Sequence, residues 1–295
     1  MSMMNKTVNL HVGLHKTATT FVQDVLEQNY VEGLKNNVLY IPRKRFRSEV
    51  RHLVDKANAQ ALPELDIAKT RLDALTGSCA RIVISEEGIL GKYKELIGPH
   101  IYPNIDSNLK KWSYIFDGAM VNIYISFRSY ADIYRSAFSH AIKKNKSLSG
   151  RINADLGLAK ADAFKAFASL PIYVVDAVAR HFPEATINIW KFEDFVGNEL
   201  YYINKLASFP IVQRRYIIPK HTRSPSGVAI KKLISIRAMM LPGFIKRNLS
   251  SHVLKKDRGS EPFTLFDERE KLELDSMFDN DMQDLRKKYP DIVFL

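Results

Sequence analysis

The stretch VNLHVGLHKTATTFVQDVLEQN, Val8–Asn29, decides the fold. Its first part, Val8–Gly13, is a strand-like apolar run. Its last part, Thr19–Asn29, places Phe21, Val22, Val25 and Leu26 on one face of a helix. Between them runs a turn, Gly13–Thr20, that holds Lys16, Thr17, Thr19 and Thr20. A strand, a short hydroxyl-rich turn and a helix N-terminus make an anion cradle. The first helical N–H groups lack intrahelical acceptors, and the helix dipole favours negative charge in front of them. Lys16 adds a full positive charge and the threonines add hydroxyl donors.

Outward from this stretch, further strand-like runs occur at Val38–Ile41, Arg81–Ser85, Val121–Phe127 and Thr186–Trp190. Helical periodicity fills the gaps between them. It is strongest over Tyr130–Ile142, with apolar residues at i, i+3 and i+4, and it continues over Asp162–Phe182 with an expected break at Pro171. A last long helix is expected over Leu265–Lys288, acidic early and basic late. Strands alternating with helices predict an α/β fold of three layers, a central mostly parallel sheet of about five strands flanked by helices. The length suits one domain covering 1–295, with a long basic loop at about 209–226 and a helical C-terminal part over 227–295. Ligands in such sheets sit at the carboxyl ends of the strands, so the residues just after each strand are the first candidates for a site.

Composition narrows the chemistry. The chain carries 44 Lys+Arg against 32 Asp+Glu, a formal charge of +12. That excess favours anionic partners, although most of its clusters, Arg43–Arg47 among them, read as solvated faces. The single cysteine, Cys79, excludes an intramolecular disulfide framework and reads as a packing residue. No His/Cys cluster has metal-ligand spacing, so no metal is expected. Basic residues are not interleaved with aromatics in a recognisable module, which disfavours nucleic acid as a partner. No apolar run reaches the ~18 residues of a membrane span and no signal peptide opens the chain. A cytoplasmic protein is expected, with peripheral contact at the membrane face as an option.

The loop is not a Walker A motif. Only two residues separate Gly13 from Lys16, and no second glycine precedes the lysine. His15-Lys-Thr-Ala-Thr-Thr20 instead resembles the 5′-phosphosulfate loop of sulfotransferases that use 3′-phosphoadenosine-5′-phosphosulfate (PAPS), a family with a P-loop-like nucleotide fold. The family usually has glycine where this chain has Ala18, and alanine tolerates a positive φ poorly. The resemblance implies that His15, Lys16, Thr17, Ala18, Thr19 and Thr20 contact the donor, with Lys16 also catalytic.

The same family binds the donor's 3′-phosphate with an arginine that ends a strand and a serine eight residues later. Arg128 and Ser136 match that spacing, and a guanidinium fork suits a phosphate. Ser85-Glu86-Glu87 resembles the Ser-x-Glu strand end of the bacterial and glycan-modifying members, which puts Glu87 in the position of a base toward the acceptor. Glu86 is the lesser candidate, since strand alternation would send the two side chains to opposite sides. His15 and His140 are rival bases. Lys220–Ser226 loosely resembles a loop that closes over the 3′-phosphate, with Arg223 and Ser224 as its contacts. Trp190–Phe195 resembles a largely structural stretch in which Glu193 or Asp194 caps a helix.

The resemblance therefore implies transfer of a sulfonate from PAPS, leaving the product PAP, to a hydroxyl or amine of an anionic or sugar-containing acceptor such as a carbohydrate or glycolipid. The alternatives are a nucleotide kinase-like phosphotransferase and a non-catalytic nucleotide-binding protein on the same fold. Tyr93, Tyr102 and Trp112 read as core residues, with stacking on a sugar as their other option.

Overall fold

The structure is a computed structural model that describes residues 3–57, 62–97, 100–144, 163–212, 225–257, 259 and 261–295. In chain order the main elements are β1 (Thr7–His11), α1 (Thr19–Gln28), α2 (Tyr30–Lys35), β2 (Val38–Tyr40), α3 (residues 43–56, with one π turn), α4 (Leu62–Thr76), β3 (Arg81–Ser85) and α5 (Ile105–Ile115). They continue as β4 (Met120–Phe127), α6 (Tyr130–Lys144), α7 (Leu170–His181), β5 (Thr186–Lys191), α8 (Glu199–Ala207), α9 (Gly227–Ala238), α10 (Gly243–Lys256), α11 (Glu268–Lys288) and β6 (Val293–Phe294).

The strands form a six-stranded sheet in the order β2-β3-β1-β4-β5-β6. Every neighbouring pair is parallel. The sheet exceeds the expected five strands by β6, a two-residue strand too short to carry a periodic signal. The strands are buried on both faces, so alternation divides each one between two cores. Val8, Leu10, Ile82, Ile84, Ile123 and Ile125 face the core under α4, α5, α6, α7 and α11. Val83, Tyr124 and Trp190 face the other, under Val22, Val25 and Leu26 of α1 and Tyr202, Ile203 and Leu206 of α8.

Two helix boundaries differ from the sequence expectation for local reasons. The break expected at Pro171 falls at Ser169, which takes φ 58°. Pro171 itself sits in the first turn of α7, where its missing N–H has no helical partner to lose. The last helix begins at Glu268 rather than Leu265, because Asp267 and Glu270 close a capping box there. Leu265 and Phe266 are buried against the core ahead of it.

β1 occupies the topological switch point. The chain leaves it toward β2 and β3 on one side and then crosses over to β4 on the other. In open sheets of this kind ligands bind at the switch point, here the carboxyl end of β1 between the ends of β3 and β4. His11, the last residue of β1, lies in register with Ser85 of β3 and Tyr124 of β4. Among the described residues no helix is long and apolar enough to cross a membrane.

Candidate active site

The turn after β1 is held by its own polar groups. Thr17 is buried, and its hydroxyl donates to the Leu14 carbonyl at 2.6 Å while accepting from Ser126 Oγ at 2.6 Å. That hydroxyl is committed to the loop, so the donor expected of Thr17 reduces to its backbone N–H. Gly13 is needed for close approach: a Cβ there would stand 2.4 Å from Ser126 Oγ and 2.6 Å from His11 Nε2. Lys16 and Ala18 both take left-handed backbone, at φ 78° and 62°. Alanine thus adopts the conformation for which glycine would be the unstrained choice, at a cost of roughly 1–2 kcal/mol. Ala18 is the N-cap of α1, with no side chain to cap with. Thr19 and Thr20 occupy the first helical positions. Thr19 Oγ1 is buried with no hydrogen-bond partner among the described residues.

Arg128 follows β4 directly and reaches across to the loop, where its Nη1 donates to the Lys16 carbonyl at 2.9 Å. Its guanidinium lies over the Phe192 ring at 4.2 Å, and its Nε is buried without a partner among the described residues. Burial lowers the Arg128 pKa, against the attraction of Asp132 and Glu193. The lysine loop and the arginine therefore meet at the carboxyl ends of adjacent parallel strands. Ser136 lies half-buried in the second turn of α6, about 9 Å along the axis from its first residue. Glu193 accepts the Ser129 N–H, just ahead of α6, at 3.1 Å. Burial raises the Glu193 pKa.

At the end of β3 the two glutamates converge rather than diverge. Glu86 is fully buried and accepts from Arg47 Nε at 2.5 Å, Arg47 Nη2 at 2.8 Å, Arg51 Nη1 at 2.7 Å and the Gly88 N–H at 2.9 Å. Glu87 opens a 3₁₀ turn at Glu87–Ile89, which rotates its side chain away from strand alternation. It accepts from Arg47 Nη2 at 3.2 Å and from Gln23 Nε2 at 3.4 Å. The Glu86 hydrogen bonds are the main reason that the Arg47 pKa is raised.

His15 completes this side. Its Nδ1 lies 2.9 Å from the hydroxyl of Tyr102, and its backbone N–H donates weakly to the same oxygen at 3.4 Å. Burial raises the Tyr102 pKa, so the phenol keeps its proton. The contact between Nδ1 and the phenol can run in either direction, according to which ring nitrogen carries the proton. Burial lowers the His15 pKa to about 3, with Glu86 opposing and Lys16, Arg51 and Arg47 assisting. His15 is therefore neutral at physiological pH. His11 beneath it is also neutral, its pKa lowered to about 3 by burial. Its Nδ1 lies 2.8 Å from Ser85 Oγ and its ring stacks on Trp190 at 5.3 Å.

No protein-family model matches the chain, and no curated protein matches it. Two solved structures are similar in part. One is retinol dehydratase in complex with androsterone and inactive cofactor PAP, at a TM-score of 0.35 and 14% identity over 95% of this chain and 82% of that one. The other is retinol dehydratase in complex with retinol and PAP, at a TM-score of 0.33 and 14% identity over the same shares.

Of the residues singled out from the sequence, the switch point gathers His15, Lys16, Thr17, Ala18, Thr19 and Arg128 about the turn after β1, with Glu86 and Glu87 at the end of β3. His140 packs edge-on against Tyr93 at 4.8 Å on α6. Arg223 and Ser224, with residues 213–224 as a whole, lie outside the described residues. Sequence reading treated Arg47 as part of a solvated cluster and did not single out Arg51, Gln23 or Ser126. The helix that carries the two arginines follows β2, which pairs with β3, and only that pairing brings them to Glu86. Behind Tyr102 lies a cavity of about 370 Å³ lined by His100, Ile101, Pro103, Lys165, Leu170 and Tyr173 among others. The Tyr173 hydroxyl donates to the Tyr102 carbonyl at 3.1 Å. Among the described residues no group of His, Cys, Asp and Glu could hold a metal ion.

Proposed function

We propose that the protein transfers a sulfonate group from PAPS to a hydroxyl or amine of an acceptor. The observation that carries this reading is the contact between Arg128 and the Lys16 carbonyl, which joins a short lysine–threonine turn to an arginine on the neighbouring strand. Two donors at that end of the sheet, Thr19 Oγ1 and Arg128 Nε, are buried without partners among the described residues. Buried polar atoms are ordinarily satisfied, so an anion with two phosphate groups suits the place they occupy. When bound, PAPS supplies a sulfonate attached to a phosphate leaving group.

The chain's own residues then divide the work. Lys16, with the α1 N-terminus, stabilises negative charge on the bridging oxygen as the sulfur–oxygen bond breaks. Glu87 takes the acceptor's proton as the new bond to sulfur forms. Glu86 is unsuited to that task, since both of its oxygens are committed to arginines and a backbone N–H. His15, neutral with its pKa lowered to about 3 by burial, is a poor base for that proton. Arg128 holds the 3′-phosphate with Ser136, and the proposed contacts Arg223 and Ser224 close over it. The charge of +12 favours an anionic or sugar-containing acceptor, a carbohydrate or glycolipid. The proposed setting is the cytoplasm.

Transfer of labelled sulfate from PAPS tests the reading. Lys16→Ala abolishes transfer, and Arg128→Ala chiefly weakens nucleotide binding. By calorimetry PAP binds ~10- to 100-fold more tightly than AMP, the value of a charged hydrogen-bond pair to the extra phosphate. An active Lys16→Ala enzyme, or equal binding of PAP and AMP, refutes it.

A further inference from the structure

We infer that the helical hairpin of α9 and α10 docks the protein onto an anionic lipid surface. Residues 227–256 contain seven Lys and Arg (Lys231, Lys232, Arg237, Lys246, Arg247, Lys255 and Lys256) and no Asp or Glu. With 32 acidic residues in 295, the chain as a whole has roughly one in nine, so thirty residues without one form a distinct basic zone. The same zone exposes its largest apolar side chains at the turn between the helices. Met240 is fully exposed, Phe244 is 67% exposed and Met239 47% exposed.

α10 contributes no fully buried residue. Val253 and Leu254 lean against the core, while Phe244, Arg247, Ser251 and Lys255 are all exposed and recur at helical spacing on the outer face. On α9, Lys231 and Lys232 are exposed as well. An apolar tip flanked by lysines and arginines matches a bilayer interface, where methionine and phenylalanine enter the acyl boundary and the cations meet headgroups.

Charge argues against the competing occupants. A second copy on this face would set one basic zone against another. A nucleic acid would satisfy the cations but leave Met240 and Phe244 in water. The helices lie on the surface and do not span it, in keeping with the absence of a spanning helix among the described residues.

The full chain is sedimented with vesicles of phosphatidylcholine alone or mixed with phosphatidylglycerol; no nucleotide donor is present, so the result is independent of the transfer reading. Binding is expected only to the anionic vesicles and is expected to weaken with salt. Lys255→Gln with Lys256→Gln lowers partition about 30-fold, about fivefold for each cation near the surface. Met240→Ser with Phe244→Ser lowers it about tenfold or more, with an unchanged melting temperature in both pairs. Equal binding to neutral and anionic vesicles overturns the proposal, as does wild-type binding by both variants. It is also overturned if the Met240/Phe244 pair alters only the oligomeric state, or if the lysine pair abolishes binding to an RNA duplex while vesicles never bind.

Discussion

Replacing each of the adjacent carboxylates Glu86 and Glu87 by glutamine separates support from chemistry. Glu86 is fully buried and holds Arg47 and Arg51. Removing one partner of a buried ion pair costs about 3–5 kcal/mol, most of it from the cations left without compensation. The Arg47 side chain is 36% exposed and keeps Glu87, and Arg51, at 16%, keeps Asp55 at 3.4 Å. The loss for Glu86→Gln therefore lies near the lower end, about 3 kcal/mol. At ~2 °C per kcal/mol for a chain of this length, the melting temperature falls by about 6 °C. Among the described residues Glu87 makes two long hydrogen bonds, at 3.2 and 3.4 Å. Glu87→Gln is expected to lose under about 1 kcal/mol while cutting sulfonate transfer ~10²- to 10⁴-fold as general base catalysis is removed. Thermal denaturation and initial rates with PAPS on both variants decide the matter. A Glu86→Gln protein that melts within about 1 °C of the parent refutes the structural half. A Glu87→Gln enzyme at full rate refutes the catalytic half.

Ala18→Gly relieves a left-handed alanine and is expected to stabilise the fold by about 1 kcal/mol, seen as an upward shift in the urea midpoint. Gly13→Ala forces a methyl against Ser126 Oγ and His11 Nε2. It should destabilise by about 1–3 kcal/mol, part of which Ser126→Ala restores in the double variant. Arg128→Lys keeps the charge but loses the fork, and by calorimetry PAP affinity should stay close to that of Arg128→Ala. Acid should destabilise the protein through His11 and His15, whose folded pKa values of about 3 lie below the ordinary histidine value of 6.5. Between those values the unfolded chain binds more protons, so stability falls as pH drops below 6.5 and the decline ends near pH 3. The slope is about 1.4 kcal/mol per pH unit for each histidine. Urea titrations at a series of pH values should show His11→Asn removing about half of it.

The sheet was legible because β1, β3, β4 and β5 are buried strands rich in Val, Ile, Leu and aromatic residues. Their bounds fall within a residue or two of the sequence reading. The meeting of the candidate residues was legible where chain order decides it: Lys16 and Arg128 each follow a strand closely, and β1 pairs with β4. It was illegible where a partner arrives from a distant element. Arg47 looks like any member of a basic run, and its meeting with Glu86 depends on β2 pairing with β3. Strand alternation misplaced Glu86 and Glu87 for a related reason, because the 3₁₀ turn at Glu87 ends the extended geometry on which alternation rests. Thr17 shows the converse error, since a hydroxyl in a phosphate-type loop reads as a donor while Ser126 and Leu14, which occupy it, are out of view.

The turn keeps its shape without the glycine that its left-handed positions favour, and the reason bears on catalysis. Lys16 and Ala18 are strained by their φ angles, and unrestrained residues would relax. The Leu14–Thr17–Ser126 hydrogen bonds fix the middle of the turn to β4, and the Arg128 contact fixes the Lys16 carbonyl. In the proposed transfer, strain held in this way would place donors before the ligand arrives and lower the reorganisation needed when charge develops. It follows that Ser126→Ala, far from any proposed proton transfer, should lower kcat for sulfonate transfer more than it lowers stability. A loss of about 1 kcal/mol in folding, the value of one buried hydrogen bond, should accompany a larger fall in turnover. If kcat is unchanged while the protein is destabilised by that amount, the Thr17–Ser126 bond supports the fold alone and the preorganisation argument fails.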